Sequence, residues 1–196
     1  MRIVGAEVAL VEVELVGGLL GCPSCREVLA PWGHARERVL RCAAGDRQIR
    51  PRRARCRGCR QTHVLLPLVA LARRQDEIAV IGAAIEAKVL GGQGFRRIAE
   101  QLGASPITVR GWLRRFAERA GLIRSHFTRC AVALDPELGP VLPAGSGVAD
   151  ALEAIAVAVR AWVLRFGPAE RWPVVSWLSG GLLLQHEPTL GGLVVS

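Results

Sequence analysis

The spacing of apolar and polar residues divides the chain into a strand-rich first part and a helix-rich remainder. Residues 8–16 alternate apolar with acidic positions, which predicts a strand. Residues 36–42 and 47–55 also have strand character and are separated by turn formers at 44–46, which predicts a hairpin. From residue 76 onward the apolar residues recur every three or four positions, which is the period of helices.

The helical part predicts three consecutive helices and then two more. The first three span residues 76–90, 95–102 and about 106–120, and glycines follow the first and the third. An apolar stripe over 152–166 predicts a long helix, and residues 172–184 predict a short one. The stripe is expected to pack against the rest of the chain or against a second copy.

Four of the six cysteines form two C-x-x-C pairs. This spacing places two thiolates in one tight turn, and two such turns supply the four sulfurs of a tetrahedral Zn²⁺ site. Such a site has no open position for a substrate, so the ion would fold the segment rather than perform catalysis. We therefore predict a zinc ribbon, with the hairpin between the pairs and a structural Zn²⁺ on Cys22, Cys25, Cys56 and Cys59.

Other uses of these cysteines stay open at this point. Disulfides require an oxidising compartment, and glutamates interrupt the N-terminal apolar stretch, which argues against a secretory signal. A redox C-x-x-C is disfavoured because no βαβ pattern surrounds either pair. Cys42, His34 or His63 could replace one zinc ligand, whereas Cys130 stands alone and is expected to be a small buried residue.

The positive charge lies in the middle of the chain. The whole protein carries a formal net charge of +9, and residues 22–63 and 64–129 contribute +8 and +6, while both ends are mildly acidic. A concentrated basic segment is expected of a protein that binds nucleic acid. The alternative is a basic surface that is merely solvated.

Residues 95–114 have the pattern of a helix-turn-helix, whose expected buried positions are Ile98, Leu102, Val109 and Trp112. Ala99 is small where two helices would cross closely, and Gly103 follows at the turn, where the backbone must be permissive. Ser105 is a good N-cap, and Pro106 is a good first residue for the third helix. Because a helix fits the major groove and its N-terminal residues reach base edges, the outer side of this helix is the predicted reading surface. An ordinary basic three-helix bundle is the alternative.

The predicted partner is double-stranded DNA. Residues of the third helix would meet base edges, and arginines of the second helix and the ribbon would meet phosphates. The predicted DNA contacts are Ser105, Pro106, Thr108, Arg110, Arg114 and Arg115 in the third helix, Arg96 and Arg97 in the second, and Arg52, Arg53 and Arg55 in the ribbon. Arg119 and Arg124 are also placed for phosphates.

The order of these motifs resembles a family of short bacterial proteins that is classed as a domain of unknown function and is often encoded near transposases. The residues that carry the resemblance are 22–25, Trp32–Gly33, 55–59, 62–67 and 108–115. The same order is similar to the DNA-binding front end of insertion-sequence transposases. The resemblance implies DNA binding without the nuclease, because the acidic residues after Arg129 lack the spacing of a two-metal site.

We expect an α+β protein: a small N-terminal β zinc ribbon, then a trihelical helix-turn-helix domain, then C-terminal helices. The predicted boundaries are a ribbon with an N-terminal strand over 1–67, a DNA-binding domain over 72–125, a linker over 126–147 and a helical segment over 148–196. We expect a non-enzymatic, cytoplasmic and nucleoid-associated regulator or mobile-element protein, with no membrane partner and with a transposase or a second copy as further partners. A catalytically incomplete transposition subunit and a protein-interaction adaptor are the alternatives.

Overall fold

The computed structural model describes residues 1–185 and separates the chain into two compact units. The first is Met1–Glu77, and the second begins at Ile78. Short strands and one helix build the first unit, and the described part of the second is helical. The predicted α+β class is therefore confirmed.

The first unit consists of a four-stranded sheet, a separate hairpin and one helix. In chain order its elements are β1 (Arg2–Val4), α1 (Val8–Val16), β2 (Leu29–His34), β3 (Arg38–Leu40), β4 (Arg47–Ile49), β5 (Arg52–Cys56) and β6 (Thr62–Pro67). The sheet order is β1-β6-β5-β2, with β1 parallel to β6 and β5 antiparallel to both of its neighbours. β3 and β4 pair with each other and form the predicted hairpin.

Each face of the sheet contacts a different apolar layer. α1 covers one face, where Val11 and Leu15 are buried in a cluster with Leu29 and Leu65. On the other face Leu40, from the hairpin, lies in a second buried cluster near the β1–β6 edge. This second cluster contains no residue of β2 or β5.

The strand predicted at residues 8–16 is wrong: this segment is α1. Its buried residues, Val11 and Leu15, are four apart, so they lie on one side of a helix that packs on the sheet. Packing of this apolar side outweighs the strand preference of the valines, since local propensity is a weak determinant beside tertiary contacts. The N-terminal strand of this unit is β1 instead.

The strand predicted at 47–55 is two strands, β4 and β5. Pro51 lies between them, and because proline has no backbone N–H it cannot continue the ladder of hydrogen bonds. Its carbonyl accepts a hydrogen bond from Ala35 N at 2.8 Å. The chain therefore leaves the hairpin here and enters the sheet.

The second unit contains helices that pack around a larger apolar interior. They are α2 (Ile78–Val89), α3 (Phe95–Gln101), α4 (Pro106–Glu118), α5 (Ala120–Leu134), α6 (Gly147–Phe166) and α7 (Arg171–Leu178). α5 and α6 make the most extensive pairing, and α2 packs against α3, α4, α6 and α7. No helix of the described residues is both long enough and apolar enough to cross a membrane.

Three predicted boundaries in this unit need correction. Gly121 does not end the helical run, because α5 begins at Ala120 and the amide of Ile123 bonds to Arg119 O at 2.9 Å. The linker predicted over 126–147 therefore begins later, after α5, and residues 135–146 lack regular structure. The helix predicted over 172–184 ends at Leu178, because Gly180 and the glycine after it take positive φ angles of 59° and 73°. The tail 186–196 lies outside the described residues.

Candidate metal centre and basic surfaces

The four paired cysteines meet at one end of the first unit. Their sulfur atoms all lie within 4.8 Å of one another. Cys22 Sγ and Cys59 Sγ are 3.7 Å apart, and Cys25 Sγ and Cys56 Sγ are 3.3 Å apart. A tetrahedral zinc site with Zn–S bonds of about 2.3 Å separates its sulfurs by about 3.8 Å. The cluster could therefore hold one metal ion through four thiolates.

Both C-x-x-C turns have the same backbone geometry. In each, the amide of the first cysteine donates to the carbonyl five residues later, from Cys22 to Glu27 at 2.7 Å and from Cys56 to Gln61 at 2.9 Å. This bond closes a loop whose two sulfurs point to the same side. The site is thus built from two copies of one local structure, which explains how the spacing alone predicts it.

The residue after the second cysteine of each pair has a left-handed backbone conformation. Arg26 and Arg60 have φ angles of 65° and 64°, a conformation that costs a non-glycine residue about 1 kcal/mol. The glycine in the second turn has a different role: a Cβ at Gly58 would lie 2.8 Å from Cγ of Glu27. Gly58 therefore permits the close approach of the two turns.

The four thiols cannot all ionise easily without a cation. Burial opposes ionisation of Cys22, but backbone N–H groups of Ser24 and Cys25 and the neighbouring thiols lower its pKa to about 6. At Cys59 the N–H of Gln61 lowers the pKa, yet burial and the three other sulfurs outweigh it and raise the pKa to about 12. A divalent cation would remove this repulsion, because it binds thiolates in preference to thiols.

The alternative ligands lie outside the cluster. His63 is buried next to it, with Nε2 3.4 Å from Cys22 Sγ and Nδ1 3.2 Å from the amino nitrogen of Met1. Cys42 belongs to the hairpin layer, where its thiol donates to Leu40 O at 3.5 Å. His34 is exposed at the end of β2. Among residues 1–185, the four paired cysteines are the group that could hold a metal ion.

The segment 95–118 forms two short helices around a tight turn. Gly103 has a φ of +60°, and the next amide, Ala104 N, bonds back to Ala99 O at 2.9 Å. Val109 and Trp112 are buried on the inner side of α4. Gly103 thus lies at the predicted turn, and Val109 and Trp112 are buried as predicted. The helix-turn-helix arrangement itself stays a prediction.

The outer side of α4 presents a polar and basic surface. Ser105 precedes the helix and Pro106 opens it; both are exposed, as are Arg110 and Arg114. Arg114 forms an ion pair with Glu118 one turn later, at 3.1 Å. Of the other predicted contacts, Thr108 and Arg115 are half-buried, and Arg96 and Arg97 are exposed on α3.

Comparison with known protein families identifies one matching region of the chain. Residues 22–117 match a family model described as a domain of unknown function, DUF6431. The chain carries a DUF6431 domain. It begins at the first paired cysteine and extends into α4, so the metal centre and the basic outer side of α4 both fall within it. No curated protein and no solved structure matches the chain.

The description of the DUF6431 domain assigns no activity or partner. The association with transposases that the resemblance implies therefore stays a prediction, as does the role of the domain in DNA binding. What the comparison adds is the extent of the matched region, which includes both the cysteine cluster and most of the α3–α4 segment.

Within the DUF6431 domain, Arg52 differs from the prediction. Its guanidinium forms two hydrogen bonds of 2.7 Å with the Glu12 carboxylate and a third, of 3.1 Å, with Gly33 O. Because those bonds occupy its donors, we withdraw Arg52 from the phosphate contacts. Local spacing does not indicate this pair, because its partner lies 40 residues away in a segment predicted as a strand.

Two further arginines are placed differently from the prediction. Arg119 is buried, and its Nε donates to Leu183 O at 3.3 Å. Arg124 pairs with Asp150 at 3.1 Å, which joins α5 to α6. Both side chains hold helices of the second unit together, and neither presents a free cation to a phosphate.

Arg53 and Arg55 lie on the sheet face that α1 does not cover. They alternate with Ala54, which is buried against α1, so both project to the opposite side. The guanidinium of Arg55 lies 4.7 Å from the ring centroid of Trp32. The sequence predicts no separate role for Trp32 and no strand over residues 29–34.

Proposed function

We propose that the chain is a DNA-binding protein in which a structural Zn²⁺ closes the ribbon and a helix-turn-helix, formed by α3 and α4, reads duplex DNA. Cys22, Cys25, Cys56 and Cys59 would hold the ion, and all four coordination positions would be filled by protein. The ion would supply folding energy to the ribbon, and no catalytic step is assigned to it.

The observation that carries the DNA-binding proposal is the division of α4 into two sides. Its inner side is buried through Val109, Trp112 and Phe116, while Arg110 and Arg114 are exposed one turn apart. Ile107 is 84% exposed near the helix start, a position where an apolar side chain can contact a thymine methyl group. Such a helix is suited to the major groove.

The charge of the region supports the same proposal. Residues 22–129 carry the positive excess of the whole chain. Arg96 and Arg97 on α3, and Arg53 and Arg55 on β5, would neutralise phosphates and supply affinity without sequence preference. Nucleoid association follows from this partner, and a transposase or a second copy would join the protein on DNA.

Two arginine substitutions test the reading helix. We expect the double variant Arg110→Ala, Arg114→Ala to lose at least tenfold in affinity for a selected duplex, because a bidentate arginine–guanine contact contributes about 1–3 kcal/mol. Fluorescence anisotropy on a duplex obtained by in vitro selection measures the loss.

Arg160→Ala is the control, since it removes an arginine that is also exposed, from α6. It should reduce the affinity only slightly. Equal affinities for the double variant and this control would contradict the assignment of α4.

A further inference from the structure

The end of the ribbon sheet that α1 does not cover is a basic surface with two half-buried arginines and an exposed aromatic ring. We define the β2–β5 face as Trp32, Arg53, Arg55 and Thr62. Thr62 pairs directly with Arg55 across β5 and β6, so the two side chains lie on the same side of the sheet. None of β2, β5 and β6 contains an acidic residue.

Trp32 is unusual for its exposure. Half of its surface, 51%, is open to solvent, although tryptophan is normally well buried. β2 is an edge strand of the sheet, and its register with β5 shifts between Pro31 and His34, where Gly33 has a φ of 79°. The ring is therefore presented outward by the backbone.

Arg55 is held beside this ring. Its Cζ lies 4.7 Å from the Trp32 centroid, and its Nε donates to Arg60 O at 3.2 Å. These two contacts fix the plane of the guanidinium and leave its terminal N–H groups for an anion. Arg57 and Arg60 are exposed in the adjoining turn, so the positive charge continues beyond the face.

We propose that the β2–β5 face binds single-stranded DNA, with an unpaired base stacked on Trp32 and the neighbouring phosphates on Arg53 and Arg55. Flat aromatic rings in a basic surface favour unpaired strands, because every base has a face that can stack and a duplex keeps those faces internal. The choice of DNA over RNA rests on the proposed function, whereas the stacking site is separate from α4.

Strands that lack bases distinguish binding by base stacking from binding by phosphate charge. The zinc-loaded full chain is titrated into oligothymidylate of about 12 nucleotides, and into a strand of equal length and charge that lacks the bases, with anisotropy as the readout. We expect the abasic strand to bind at least fivefold more weakly. Trp32→Ala should bind both strands equally at the weaker level, and Trp32→Phe should retain the preference.

The controls distinguish this proposal from the function of α4. Trp177→Ala removes a tryptophan of α7 that is 41% exposed and should leave strand binding unchanged. Arg110→Ala with Arg114→Ala should lose duplex binding but keep the preference for the base-bearing strand. Zinc content verifies that the ribbon of each variant is folded, and circular dichroism verifies the helical unit.

Two results would overturn the proposal. The first is equal affinity of the native protein for the base-bearing and abasic strands, which would reduce the face to a phosphate contact. The second is binding of oligouridylate at least tenfold tighter than oligothymidylate, which would make the partner RNA.

Discussion

The two units of the chain bury their apolar residues in different ways. In the ribbon the core consists of two small clusters on opposite faces of a short sheet, and Cys22 and Cys56 are themselves members of one cluster. The helical unit buries long faces of α2, α5 and α6, including Ile81, Phe127 and Ile155. Small domains with little core need a further source of stability, whereas packed helices do not. The difference predicts that the ribbon depends on a metal and the helices do not.

Metal removal should give the largest effect. Structural zinc contributes about 10–16 kcal/mol to the folding of zinc-finger peptides, which exceeds the stability of a small domain. We expect one zinc per chain by elemental analysis, and we expect Cys22→Ser with Cys56→Ser to abolish it. Hydrogen exchange read by segment should then show loss of protection in β5 and β6 while α5 and α6 stay protected.

Cys42→Ser is the control for that experiment. It removes a half-buried thiol from the same unit but outside the cluster, so zinc content should be unchanged. Full protection of the ribbon amides from hydrogen exchange without metal would contradict the prediction that only the ribbon depends on the ion.

Two glycine substitutions test how closely the helices of the second unit pack. A Cβ at Gly82 in α2 would overlap the indole ring of Trp172 in α7, so Gly82→Ala should destabilise this unit by about 1–3 kcal/mol. At Gly121 in α5 an added Cβ meets nothing within 4 Å, so Gly121→Ala should stabilise by up to about 1 kcal/mol. Chemical denaturation compares the two, and a Gly82→Ala variant as stable as the native protein would contradict the close α2–α7 packing.

Acid should destabilise the helical unit through His126. Burial, with a smaller effect of Arg129, lowers the pKa of this imidazole below its usual 6.5, although the carbonyl of Leu178 acts in the opposite direction. The unfolded chain therefore binds a proton first, and the stability present above pH 6.5 is lost as the pH falls through the folded pKa. The slope cannot exceed about 1.4 kcal/mol per pH unit.

His126→Gln checks this assignment, because its amide can still donate to the carbonyl that lies 2.9 Å from Nε2. Denaturation between pH 7 and pH 5 should show the pH dependence in the native protein and its absence in the variant. An unchanged slope in His126→Gln would assign the effect to another group.

The smallest expected effect concerns the ion pair between α1 and the sheet. Arg52 is 15% and Glu12 42% exposed, so solvent screens part of the attraction, and Glu12→Gln should cost only about 1 kcal/mol. Glu7→Gln, in the exposed residue before α1, should stay within about 0.5 kcal/mol of the native protein. Equal values for both variants would mean that the pair adds nothing.

Features that depend only on the spacing of nearby residues could be predicted from the sequence. Each C-x-x-C turn needs only its own few residues, and the turn at Gly103 needs only a permissive backbone between two apolar helices. These features were therefore placed correctly by pattern alone. The predicted hairpin between the cysteine pairs was also found, as β3 and β4.

What the sequence could not predict depends on residues far apart in the chain. The alternation of apolar and acidic residues predicts a strand for the segment of α1, and packing of Val11 and Leu15 on the sheet makes it a helix. The pairing of Arg52 with Glu12 has the same origin. The exposure of Trp32 depends on the place of β2 at the edge of the sheet, which is set by its pairing with β5 more than 15 residues later.

The central claim is that the basic middle of the chain binds the phosphates of duplex DNA, and its salt dependence tests this most directly. If six or more phosphates are contacted, the affinity of the zinc-loaded protein should fall by about a thousandfold or more between 50 and 200 mM salt. Even a few contacts would give a clear decrease. An affinity that does not change over this range, or no binding at low salt, would contradict the account.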